Sequence, residues 1–266
     1  MIPGRQFAAL QIQGARPYQE DDFGCVNDLK PEDARPTDLL VVLADGMGGH
    51  AGGAQASRVA VRQFIESYRR NTIDIVDRFE KALTDANDAI RKEAREQPKL
   101  HGMGCTLVGV SFTEEGVVWV SVGDSPFWRI RDGEIKQLNA DHSMAPVIAM
   151  KVSNGELSQE EAALHPQRNA LRSALVGEPI PQTDLRETPI RVREGDRFVL
   201  ASDGLQTLRD EEIAEIAGRD ADALDLARDL VDAVEAKNRR GQDNTTVIVV
   251  SPTLIGEATP VVDWTR

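Results

Sequence analysis

Apolar runs joined in pairs by tight turns constrain this chain more than any other feature. Phe127 to Arg131 and Ile135 to Leu138 are separated by Asp132-Gly133, and Thr106 to Phe112 and Val117 to Val122 by Thr113-Glu114-Glu115-Gly116. Asp-Gly between two such runs is a strong hairpin signal, because its turn requires positive φ, which glycine adopts without steric cost. Sequential hairpins imply antiparallel pairing. Alternation at Phe7, Ala9, Gln11 and Gln13, the run Leu39 to Leu43 before Asp45-Gly46, and the runs Arg197 to Ala201 and Thr245 to Val250 extend the sheet signal along the chain.

Helical stripes come in blocks. Val61, Phe64, Ile65 and Tyr68 make one, Phe79, Ala82, Leu83, Ala86 and Ile90 a second, and Ala227, Leu230, Val231 and Val234 a third. Two consecutive helices between strands argue against a doubly wound parallel sheet. One-sided stripes must cover a sheet face, so the fold class is α+β, in layers of helix and sheet with room for a second sheet carrying its own helices. Residues 139–189, rich in His, Pro, Asn and Gly, show one short helical stretch near Gln159 to Ala163 and read as a mobile excursion beside the site. Residues 1–252 are expected to form a single domain, followed by a 253–266 tail.

Thirty-one Lys and Arg against 44 Asp and Glu leave a net charge of -13 on 266 residues. Nucleic acid is therefore not an expected partner, since phosphates are held chiefly by Lys and Arg and no basic face is visible. No apolar run reaches the roughly 18 to 20 residues of a membrane helix, so no membrane partner is expected either. Cys25 and Cys105 lack metal spacing and read as small buried thiols. A cytoplasmic location fits these features.

The chemistry is suggested by carboxylates at strand ends: Asp45 before Gly46, Asp124 after Gly123, Asp203 before Gly204 and Asp243 before Asn244. Singly, each is ordinary turn chemistry. Together they would repel one another unless a hard divalent cation neutralised them, and all-oxygen donors suit Mn2+ or Mg2+ better than zinc. Two such ions activate water and clamp an in-line displacement at phosphorus. Arg16, beside Glu20, Asp21 and Asp22, is the candidate for the phosphate oxygens. The glycines of Asp45-Gly46-Met47-Gly48-Gly49 fit no nucleotide fingerprint and read as a turn that brings a backbone carbonyl to metal.

These residues resemble the metal-dependent protein phosphatases of the protein phosphatase 2C type, also called PPM. The resemblance rests on Arg16-Pro-Tyr-Gln-Glu20-Asp21, Asp45-Gly46-Met47-Gly48-Gly49-His50, Gly104-Cys105-Thr106, Val122-Gly123-Asp124-Ser125, Asp141-His142-Ser143, His165-Pro166-Gln167-Arg168-Asn169, Ala201-Ser202-Asp203-Gly204-Leu205 and Asp243-Asn244-Thr245-Thr246, in family order. It implies a four-layer αββα sandwich, two antiparallel sheets flanked by antiparallel helices, with 139–189 as a flap. It implies hydrolysis of phosphoserine and phosphothreonine in proteins by a metal-bridging hydroxide, opposing a bacterial Ser/Thr kinase.

Position by position, the resemblance makes Asp45 the bridge between two central Mn2+ or Mg2+ ions and Gly46 a carbonyl donor. Asp203 and Asp243 complete one ion, Glu20 serves the other, and Asp124 joins Asp203 at a third. Asp21, also in the metal set, should point away from Glu20 and orient a water or Arg16. Met47 stands where some members carry a histidine acid, leaving His50 or water for that role. Pro126 replaces the usual Arg after Gly-Asp-Ser. The alternatives are a phosphopeptide-binding regulatory pseudoenzyme, opposed by retention of Asp45, Asp203 and Asp243, and an enzyme acting on a small phosphorylated metabolite.

Overall fold

In the computed structural model the described residues are 1–27, 39–48, 51–70 and 74–252; the tail and His50 lie outside them. Along the chain come β1 (Phe7–Ile12), β2 (Asp22–Val26), β3 (Leu39–Ala44), β4 (Gly46–Met47), α1 (Ala51–Arg70), α2 (Ile75–Glu96), β5 (Gly104–Cys105), β6 (Leu107–Thr113), β7 (Gly116–Val122), β8 (Phe127–Arg131) and β9 (Glu134–Gln137). There follow α3 (Ala145–Ser153), α4 (Gln159–Ala163), β10 (Asp184–Leu185), β11 (Arg197–Ala201), α5 (Asp210–Ala217), α6 (Ala223–Ala236) and β12 (Thr245–Val250). Five strands form one sheet in the order β1-β12-β11-β8-β9 and five another in the order β10-β7-β6-β3-β2, while β4 and β5 pair as a short ribbon. All these pairings are antiparallel.

The strand pleat sorts the side chains into layers. In β3, Leu40, Val42 and Ala44 join Phe64 and Tyr68 of α1 and Phe79 and Ala82 of α2 in one core. Leu39, Val41 and Leu43 face the other way, with Phe198, Leu200, Ile248 and Val250 of the opposite sheet. On that sheet's outer side Val199, Val247 and Val249 meet Ile213 of α5 and Leu226 and Leu230 of α6. A strand buried on both faces has no polar face to show, which is why β3 and β12 are almost wholly apolar. The four layers are the expected αββα sandwich.

The β8–β9 hairpin turns at Asp132 and Gly133, with φ of 52° and 78°, as the Asp-Gly signal implied. β2 gave no such signal, because Asp22 and Gly24 are poor strand formers. Gly24 is needed there because a Cβ would lie 2.4 Å from Ile65 Cδ1 of α1. The 139–189 excursion holds two helices, not one: α4 matches the expected stretch, whereas α3, with proline in its first turn, was not anticipated. The return leg of the excursion is fastened to the body. Cys105 and Leu175 exchange two backbone hydrogen bonds of 3.0 and 2.9 Å, and Asn87 of α2 bonds Glu178 O and Gly177 N, each at 2.8 Å.

Candidate active site

Antiparallel register gathers the acidic turns. In one sheet Asp22 lies opposite Ala44 and Leu107 opposite Val122, so Asp21, Asp45, Thr106 and Gly123-Asp124 leave it at one end. In the other, Ile12 lies opposite Thr245 and Ala201 opposite Val247, which brings together the 13–20 loop, Ser202-Asp203 and Asp243-Asn244. These ends meet around a cleft of about 700 Å³ lined by Arg16, Glu20, Asp45, Gly46, Asp124, Asp203 and Asp243, with residues of the excursion, Arg172 and Val176 among them, as a further wall. Seven of the eight residues singled out in the sequence thus share one cavity.

Asp21, the eighth, is buried behind the cleft. Its Oδ2 accepts hydrogen bonds of 2.7 Å from both Ser202 Oγ and Thr246 Oγ1, while Oδ1 is buried without a hydrogen-bond partner. It therefore points away from Glu20, as expected of neighbours on an extended segment. It does not orient Arg16, whose Nη2 donates instead to Asp243 Oδ2 at 2.5 Å. That ion pair was not foreseen.

The backbone around these groups is tightly tied. Asp45 N donates to Thr106 Oγ1 at 3.0 Å and Thr106 N to Asp45 O at 2.9 Å. Asn244 does most for the Arg16 loop: its Nδ2 donates to Gln13 O and Tyr18 O at 2.8 and 2.9 Å, and its Oδ1 accepts from Glu20 N at 2.8 Å. Gly46 donates to Glu20 O at 3.1 Å, and a Cβ on it would lie 2.3 Å from Gly53 O. The roles of Asn244, Ser202, Thr246 and Gly53 were missed in the sequence. All but Gly53 lie inside the motifs quoted above, but their contacts cross between strands and leave no local signature.

Electrostatically the carboxylates strain against one another. Burial, then the charges of Asp21, Asp203, Asp124 and Asp243, holds the Asp45 carboxyl well above the usual range. Burial also pushes Asp21 to about 6, opposed by the two hydroxyls. Asp203 rises to about 6 through burial and Asp243, with Arg16 pulling it down. Asp124 rises to about 7 through burial and the charges of Asp203 and Asp141. Such a set gains from any cation placed among its members.

Residues 25–244 match the family description Protein phosphatase 2C. The chain belongs to the protein phosphatase 2C family. Curated members of the family include the serine/threonine protein phosphatase PstP of Mycobacterium tuberculosis, 35% identical over 79% of this chain. The chain spans 40% of the length of that relative. The serine/threonine phosphatase stp of Listeria innocua is 31% identical over 90% of this chain and 92% of its own length. Among solved structures, the catalytic domain of PstP in complex with two manganese ions matches with a TM-score of 0.72 and 31% identity, covering 92% of this chain and 96% of that one. Protein phosphatase 2C enzymes are metal-dependent serine/threonine protein phosphatases.

The donors in this member of the family fit a hard divalent ion. The side chains are carboxylates, and the missing Cβ of Gly53 leaves a space edged by Glu20 Oε1 at 2.7 Å and Gly46 O at 3.0 Å. Two oxygens thus converge where an alanine would put a methyl group. Among the described residues no three His, Cys, Asp or Glu side chains form a ready-made cage. Open, water-completed coordination is the habit of Mn2+ and Mg2+.

Proposed function

We propose that the chain hydrolyses phosphoserine and phosphothreonine in proteins, with two divalent ions at the acidic rim. The observation that carries this reading is the convergence of Asp45, Asp124, Asp203 and Asp243 on the cleft that also holds Arg16. Asp45 would bridge the ions, with Gly46 O and Glu20 serving one and Asp203 and Asp243 the other. Asp124 with Asp203 would hold a third, weaker ion, and Asp21, buried beside the set, would act on it through charge rather than by direct contact with the cleft. Bound Mn2+ or Mg2+ supplies positive charge and lowers the pKa of water enough for attack at neutral pH.

The chain's own groups do the rest. Arg16 turns its planar fork from Asp243 to the phosphoryl oxygens as negative charge develops there. Asn244 holds the loop from which Arg16 acts, and Asp21, anchored by Ser202 and Thr246, fixes the entry into β2. Met47 lines the cleft directly after Gly46 and has no proton to give, so the leaving serine or threonine oxygen takes its proton from His50 or from water. Residues 1–252 act as one phosphatase unit with 139–189 as its flap. We further propose a cytoplasmic enzyme opposing a Ser/Thr kinase; the free thiols of Cys25 and Cys105 suit a reducing compartment.

The test is release of phosphate from a phosphothreonine peptide with and without Mn2+. Turnover should require the ion, stop on chelation, and be nearly lost in Asp45→Ala and Asp203→Ala. Full activity in EDTA after dialysis would overturn the reading. The pseudoenzyme alternative has no support, since Asp45, Asp203 and Asp243 all reach the cleft.

A further inference from the structure

We propose that a second groove, continuous with the catalytic cleft, receives an anionic side chain of the phosphoprotein segment close to the scissile phosphate, and that Arg168 and Arg239 select for it. The proposal rests on the phosphatase reading above and names the substrates that reading leaves open. The groove, about 500 Å³, runs between the excursion and the turn after β11. It shares Asn169, Asp203 and Asp243 with the catalytic cleft, so a peptide whose phosphate lies over the carboxylate rim has a continuous path into it.

Two guanidinium groups line this path, both exposed. Arg168 Nη1 reaches only Asn169 Oδ1, at 3.4 Å, and among the described residues Arg239 forms no ion pair. Several other arginines are neutralised by a neighbouring carboxylate: Arg131 by Asp196, Arg209 by Glu212, Arg219 by Glu215 and Asp229, Arg228 by Asp225. In a chain of net charge -13, two arginines without an ion pair on one groove beside the site complement a carboxylate or a second phosphate. Asp210, on the same wall, begins α5, where the helix N-terminus favours its charge.

The experiment uses the Mn2+-loaded full chain and phosphothreonine peptides that carry Glu, phosphoserine, Gln or Lys at each nearby position on either side. At one or more positions kcat/KM should rank Glu and phosphoserine above Gln and Gln above Lys, mainly through KM. Exposed charge pairs are worth about two- to fivefold each, so Arg168→Gln/Arg239→Gln should lose roughly tenfold of the preference. High salt should shrink it in the wild type. A preference confined to phosphoserine would support the same groove with a dianion as occupant. An equal rate for Glu and Lys peptides in the wild type, or an unchanged preference in a double variant that melts like wild type, would overturn the proposal. Turnover of the Gln peptide by wild type tests the phosphatase reading separately: no turnover of any peptide fails that reading, whereas turnover without charge preference fails only this one.

Discussion

Arg16 Nη2 lies 2.5 Å from Asp243 Oδ2, an ion pair between the residue assigned to phosphate and one assigned to metal. A guanidinium and a divalent ion compete for the same carboxylate oxygen. Arg16→Ala should therefore leave the Mn2+ stoichiometry unchanged and its affinity equal or tighter by calorimetry, while kcat/KM falls roughly a hundred- to a thousandfold, as for loss of one donor to a developing anion. Weaker Mn2+ binding in the variant would show instead that Arg16 holds Asp243 in place.

Asn244 makes three hydrogen bonds to the loop that carries Arg16. Asn244→Ala should cost about 2 to 4 kcal/mol of stability, because backbone groups are left unsatisfied, and should lower turnover. Asn244→Asp can still accept from Glu20 N but cannot donate to Gln13 O or Tyr18 O. It should rescue little, and thermal melts of the three proteins decide the point.

The pH dependence of the metal-free protein has a definite sign. Asp21, Asp203 and Asp124 titrate near 6, 6 and 7 against an ordinary 3.8, so the folded chain holds protons that the unfolded chain has released. This contribution to stability is fully present below the ordinary carboxylate range and is lost as pH rises through about 6 to 7. In EDTA, Tm should fall from pH ~5 to pH ~8. Added Mn2+ should flatten the slope, and a Tm in EDTA that rises over this range would refute the assignment.

Gly53 offers a test by geometry alone. Within α1 an alanine is normally better than glycine by about 1 kcal/mol, yet a Cβ here would sit 2.7 Å from Glu20 Oε1 and 2.9 Å from the Gly46 carbonyl carbon. Gly53→Ala should therefore lower Tm rather than raise it and weaken Mn2+-dependent turnover. A stabilised, fully active variant would remove Gly53 from the site.

The parts legible in the sequence were those with local periodicity or order. Asp132-Gly133 announced its hairpin, and the stripes Phe64-Tyr68 and Phe79-Ile90 announced the helices over one sheet. The recurrence of aspartate after apolar strands located the rim, because a strand end is a fixed platform. What stayed hidden depends on contacts between distant segments. Ser202 and Thr246 reach Asp21 across 181 and 225 residues, and Asn244 bonds Gln13 across 231. β2 was hidden because Gly24 serves helix packing rather than strand propensity. α3 was hidden because its buried residue, Ile148, stands alone and gives no stripe.

The two bonds between Cys105 and Leu175, with the grip of Asn87 on Gly177 and Glu178, divide the excursion into parts with different freedoms. The wall that shapes the cleft is bolted to the body of the molecule, whereas α3 and α4 form an arm beyond it. A change confined to α3 and α4 leaves both of these ties in place, so it is expected to alter which proteins reach the cleft before it alters the carboxylate rim.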